Sequence, residues 1–238
     1  MRLALPALAL LVALTGCFEP ERADEDIPTE ADIVSTAEVA DAIEMDADGT
    51  PYEDGDVVPG EPAPNFTLVG TDGVERSLAD YRGQTVVLEW LNYDCPFVGK
   101  HYGSGNMPAL QERFADEGVV WLSVVSSAPG EQGYFEPAAM DARTAREGGN
   151  QAAVLLDPDG AVGRRYGAVT TPHMYVIDED GTLVYNGAID DTPSTDQADI
   201  ETATNYVVPA IAAAQAGRAA DPARTQPYGC SVKYADEA

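Results

Sequence analysis

The chain has 238 residues, 45% of them hydrophobic, which is enough for one domain of ordinary size with tails and excludes a mainly disordered chain. Its formal net charge is −28, with 13 Lys and Arg against 41 Asp and Glu. That balance excludes nucleic acid as a partner, because phosphate contacts are made by cations, and it reads as a solvated acidic surface.

The first residues, "MRLALPALALLVALTGC", place one basic residue before an apolar run too short for a comfortable membrane span. They read as a signal peptide over residues 1–16. The quartet Leu14-Thr15-Gly16-Cys17 resembles the bacterial lipobox, in which the signal is cut before a cysteine that then receives lipid. Cys17 is thus the expected lipidation site, and the expected location is the cell envelope, facing periplasm or exterior. Residues 17–58 are acidic and poor in aromatics, as expected of a largely disordered tether, with a short helix over Ile33 to Ile43. "DADG" at 46–49 lacks the later ligands of a calcium loop and reads as a turn.

From residue 59 the pattern is regular. "PNFTLVG" and "TDGVE" give a strand and a turn, and "QTVVLEWLN" is a buried strand rich in β-branched residues. "NMPALQERFADEG" places Met107, Leu110 and Phe114 at helical spacing before a glycine stop. "VVWLSVVSS" is a second buried strand, "FEPAAMDARTAREGG" a helix closed by glycines, and "AAVLLDPDG" a short strand with a turn. "HMYVIDEDGTLVYNGAID" is a hairpin turning at "DEDG", and "DIETATNYVVPAIAAAQAG" a closing helix interrupted at Pro209. Strands alternating with helices over 59–217 define an α/β sandwich with a mixed sheet. The tail, 218–238, shows little regular pattern.

The chemistry concentrates at "EWLNYDCPFVGKHYG", residues 89–103. A strand ends at Asn92, and Pro96 suits the first position of a helix, so Cys95 stands at a helix N-terminus. Exposed N–H groups there favour thiolate over thiol. Lys100 and His101 would add positive charge, Asp94 would oppose it, and the polar flanks predict an accessible sulfur. Further on, Thr171-Pro172 opens a strand; a proline there leaves neighbouring backbone groups free to hold an extended peptide or substrate.

In this order, "CPFVGKHYGSGNM", Thr171-Pro172 and the terminal "PYGCSVKY" carry a resemblance. The span from Pro64 to Gly217 resembles thioredoxin-fold redoxins of the alkyl hydroperoxide reductase/thiol-specific antioxidant type, in their extracytoplasmic lipoprotein form. The resemblance implies a thioredoxin-like three-layer sandwich around a central mixed β-sheet, Cys95 as nucleophile and Pro172 as a cis-proline facing it. Substrate-binding or thiol-tuning positions are Asn92, Pro96, Lys100, His101, Thr171 and His173.

The chain also departs from its relatives. Val98 stands where thioredoxins keep the second cysteine of Cys-x-x-Cys, and Asn92 where peroxiredoxins keep a threonine. Gly99 replaces the second cysteine of copper-delivery relatives, so no metal and no cofactor are expected. Cys230, 230 − 95 = 135 positions downstream, is the remaining partner for Cys95. The two are either a redox couple or a permanent disulfide, worth roughly 5 kcal/mol in the chain-entropy account. The expected function is thiol-dependent disulfide exchange or peroxide reduction. The alternative is a non-catalytic thioredoxin-fold binding or assembly module with a structural Cys95–Cys230 disulfide. Expected partners are an external thiol reductant, a disulfide-bearing protein or a small peroxide, with the membrane engaged through the N-terminal lipid.

Overall fold

The computed structural model describes Gly55 and residues 57–235. The signal peptide, Cys17, nearly all of the tether with its Ile33 to Ile43 helix, and the 46–49 turn lie outside the described residues. Among the described residues, nine strands and five α-helices follow in chain order: β1 (Thr67–Gly70), β2 (Glu75–Ser77), β3 (Val86–Trp90), α1 (Pro96–Gly103), α2 (Asn106–Asp116), β4 (Val120–Val125), α3 (Pro137–Glu147) and β5 (Ala153–Leu156). Then come α4 (Ala161–Arg165), β6 (Thr170–Thr171), β7 (His173–Ile177), β8 (Leu183–Gly187), α5 (Val207–Gln215) and β9 (Cys230–Ser231).

Seven strands form one mixed sheet in the order β2-β1-β5-β4-β3-β7-β8. β3 lies parallel to β4 and antiparallel to β7, and every one of its residues is buried. Its side chains divide by the period of two that a strand imposes. Val86, Leu88 and Trp90 face a cluster that includes Phe66, Val162 and Tyr166. Val87 faces the other cluster, with Met107 and Phe114 of α2, Met140 of α3 and Ile211 of α5. Two covered faces are what a continuous apolar strand needs, and they make the sandwich three-layered. On the first face Trp90, Tyr166 and Tyr175 pack with centroids 5.0–5.5 Å apart. Each such pair adds about 0.5–1.5 kcal/mol beyond area burial.

Two expectations are corrected. Pro209 does not interrupt α5: the helix starts at Val207 with Tyr206 as its N-cap, so Pro209 sits in the first turn, where an N–H has no intrahelical acceptor. The tail is not patternless, because β9 pairs antiparallel with β6, Cys230 opposite Thr171 and Ser231 opposite Thr170. The hairpin is as expected: β7 and β8 pair antiparallel, and the Asp178 carboxylate accepts from the N–H groups of Asp180 and Thr182 across the turn.

Candidate active site

The centre of the sheet delivers a turn. Past the end of β3 the Leu91 N–H still bonds to Val124 of β4, and Asn92 then closes the bend. Its carbonyl accepts from the Cys95 N–H at 3.0 Å and its side-chain oxygen from the Asp94 N–H at 2.9 Å. Its amide donates to the Gln132 carbonyl at 3.2 Å. Gly133 has φ +88°, and a Cβ there would lie 2.4 Å from the Asn92 side chain, so this loop reaches Asn92 only as glycine. Arg143 of α3 bonds Asp94 at 2.8 Å and the Tyr93 carbonyl at 2.9 Å. The acidic neighbour that counted against a thiolate is therefore paired with a guanidinium.

Cys95 is the N-cap of α1, with Pro96 at its first position. Its side chain makes no capping bond to the helix. The thiol instead donates to the Thr171 carbonyl at 3.1 Å, and the sulfur accepts the Cys230 N–H at 3.4 Å. Both cysteines are free thiols. Burial pushes the Cys230 thiol up to about 11, helped by its hydrogen bond and charge interaction with Cys95 and opposed by Lys233. The Thr171–Pro172 peptide bond is cis, and Thr171 lies in register with Cys230. The accessible sulfur expected from the polar flanks is corrected: Cys95 is only 1% exposed, packed in the core cluster with Tyr93 and Val98 while the tail's Cys230 N–H lies against its sulfur. The Thr171 hydroxyl is buried without a hydrogen-bond partner.

Lys100 and His101 are both buried, and no hydrogen bond joins either to Cys95. Lys100 Nζ donates to the Thr192 carbonyl at 2.8 Å and lies 3.6 Å from Asp190. The Asn106 amide, 3.0 Å from His101 Nδ1, can only donate, so that nitrogen accepts and Nε2–H is left for the Tyr228 hydroxyl at 3.3 Å. Tyr228 in turn donates to Asp190. Burial, with a contribution from Lys100, pulls His101 down to about 4 against Asp190, so the ring is neutral at pH 7. His173 is also separate from the thiol: its Nε2 lies 2.9 Å from the Asn186 side-chain oxygen, and its ring packs on Tyr175 at 4.6 Å. Burial lowers it to about 4. The structure thus brings Cys95, Cys230, Thr171 and Pro172 together, gives Asn92 and Pro96 structural work beneath them, and removes Lys100, His101 and His173 to neighbouring clusters.

Sequence reasoning passed over Glu89, the one acid in "VVLEWL", fully buried on β3. Trp121 Nε1 donates to it at 2.9 Å, Tyr102 at 3.1 Å, and Gln111 and Ser123 each at 3.2 Å. Burial raises its pKa to about 7, against these four donors. A lone carboxylate inside an apolar run was the available signal. Asp190 and Tyr228 had none, because only the fold brings them together.

A thiol at the end of the central strand, opposite a cis-proline in a three-layer sandwich, defines a thioredoxin-like protein. An uncharacterized conserved protein from Geobacillus kaustophilus is 25% identical, with a TM-score of 0.63 over 78% of this chain and 97% of that one. A hypothetical protein from Sinorhizobium meliloti, 22% identical, shares the fold at a TM-score of 0.60 over 77% and 98%. The family model Redoxin matches residues 58–204. Two Mycobacterium tuberculosis relatives, named "Putative peroxiredoxin MT2597" and "Putative peroxiredoxin Rv2521", are each 31% identical over 141 residues, 54% of this chain and 83% of theirs. The chain belongs to the redoxin family and is a thiol-based oxidoreductase of the thiol-disulfide or peroxiredoxin-like kind.

Proposed function

We propose that Cys95 is the nucleophile of this oxidoreductase and Cys230 its resolving thiol. The observation that carries the reading is the contact between them, with the Cys230 N–H 3.4 Å from the Cys95 sulfur. Two reactions fit. With a hydroperoxide, Cys95 thiolate takes the terminal oxygen with its hydrogen as the O–O bond breaks; a sulfenic acid forms and the alkoxide leaves, taking a proton from solvent. With a disulfide R–S–S–R′, the S–S bond breaks, Cys95–S–S–R forms and R′S⁻ leaves. In either case the Cys230 sulfur attacks Cys95, releasing water or RS⁻, and an external thiol reductant returns the two electrons. The high pKa of Cys230 suits this order, because a protonated resolver waits while Cys95 reacts.

A redox couple is also supported by how the tail is held. Tyr228 is bonded to Asp190, Val232 to Val169 and Tyr234 to Ala168, none of these contacts made through sulfur. The N-terminal quartet ending at Cys17 supports lipid anchoring at the cell envelope.

The test is turnover of hydrogen peroxide and of a small disulfide by wild type, Cys95→Ser and Cys230→Ser. Loss of at least a thousandfold is expected in Cys95→Ser. In Cys230→Ser, Cys95 should accumulate as sulfenic acid or mixed disulfide, read by mass. Activity that survives loss of Cys95 would sink the assignment, and unimpaired cycling without Cys230 would remove its resolving role.

A further inference from the structure

The residues before cis-Pro172 present an edge to which an extended chain can add as a strand, through main-chain hydrogen bonds. In this protein the edge is taken. β9 occupies it, with Cys230 opposite Thr171 and against the Cys95 sulfur, where a bound polypeptide would bring its own cysteine. Gly229 makes the approach possible: its φ is +141°, and a Cβ would lie 2.1 Å from the Thr171 oxygen. We propose that the C-terminal strand is a self-supplied occupant of the polypeptide edge, excluding protein disulfides from Cys95 and confining it to small reagents. This rests on Cys95 being the reacting thiol, and it deepens that reading by naming the substrate class.

The strand is fastened on both sides of Cys230. Upstream, Thr225 Oγ1 accepts the Ala188 N–H at 2.9 Å, and Tyr228 bonds Asp190, which sits among buried Lys100 and His101. The Tyr228 ring also packs on Phe97 of α1, with centroids 5.8 Å apart. Downstream, the Ala128 N–H donates to the Lys233 carbonyl at 2.8 Å and the Tyr234 hydroxyl to the Ala168 carbonyl at 2.7 Å. With both ends held, the two-residue strand between them can bulge away from Cys95 while the anchors stay closed. Such local opening is the low-energy motion of a short, lightly bonded segment. It admits a hydroperoxide or a low-molecular-weight disulfide. A polypeptide needs the whole β6 edge, and that requires breaking the anchors.

The experiment uses the full reduced chain and two variants, Gly229→Ala and Tyr228→Phe. The first drives a methyl group into the Thr171 carbonyl from the tail, away from the core; the second removes one hydroxyl and keeps the ring. Cys95 alkylation by iodoacetamide and its oxidation by hydrogen peroxide, by a small-molecule disulfide and by the polypeptide disulfide of insulin are followed by mass spectrometry. In wild type the peroxide and iodoacetamide reactions are expected to proceed, with the insulin reaction at least a hundredfold slower than that of a small-molecule disulfide. Gly229→Ala is expected to accelerate the insulin reaction at least tenfold and to slow closure of the Cys95–Cys230 disulfide, with Tyr228→Phe intermediate. Equal rates on insulin and the small disulfide in wild type, or variants folded as wild type with no gain on insulin, overturn the proposal. If Cys95 is alkylated but consumes no oxidant of either size, the assignment of the nucleophile's role fails. The iodoacetamide rates of wild type and Gly229→Ala then still decide occupancy: acceleration supports it and equality refutes it.

Discussion

Glu89 shows how a single residue can be held in tension by its surroundings. Burial favours its neutral form while four donors favour the carboxylate, and the balance puts its pKa near 7 in the fold against about 4.5 unfolded. Between those values the folded state holds a proton that the unfolded chain has released. Stability from this group is therefore fully present below about pH 4.5 and is lost as pH rises through 7. His101 and His173, lowered to about 4, act in the opposite sense: their contribution is present above 6.5 and lost as pH falls through 4. Subtracting wild type from Glu89→Gln isolates the carboxylate. The variant's relative stability should improve by roughly 2–3 kcal/mol between pH 5 and pH 8. Urea unfolding at the two pH values checks this, and a difference independent of pH would place the titration elsewhere.

At the scale of elements, α1 joins the thiol to the tail. Its first residue follows Cys95, and its Lys100 and His101 meet Asp190 and Tyr228. Asp190 is 3% exposed and stands opposite a fully buried ammonium, an arrangement in which removing one charge leaves the other uncompensated. Asp190→Asn should cost about 3–5 kcal/mol in urea unfolding, with faster alkylation of Cys95 as the strand loses its upstream anchor. A loss below 1 kcal/mol would mean that water already reaches the pair. The regular elements were largely legible beforehand. The β-branched run of β3, the helical spacing of Met107, Leu110 and Phe114, and the "DEDG" turn each depend on neighbours in sequence. β9 was not legible, because a two-residue strand carries no periodicity and exists only through its partner. The partner of Lys100 and His101 was hidden for a related reason: their nearness to Cys95 in sequence said nothing of Asp190, which lies about ninety positions away.

For the whole molecule, the proposed Cys95–Cys230 disulfide would link redox state to stability. Closing Cys95 to Cys230 spans 135 positions and would constrain the unfolded chain by as much as roughly 5 kcal/mol in the entropy account. The urea midpoint of the oxidised protein should exceed that of the reduced protein, most of all where the tail keeps its present path. An equal or lower midpoint would show that oxidation strains or displaces the strand.

The sequence alone determined what local chemistry can encode: a thiol placed between a buried strand and a helix-starting proline, a second proline opening a later strand, an α/β alternation and a missing local resolver. Only the tertiary structure decided that Cys95 is covered, that the cover includes the chain's own Cys230, and that Tyr228, bonded to Asp190 beside Lys100 and His101, fastens it. The division has a physical reason. Periodicity and turn chemistry act over a few residues, whereas burial and pairing depend on which distant segments the fold brings within hydrogen-bond reach.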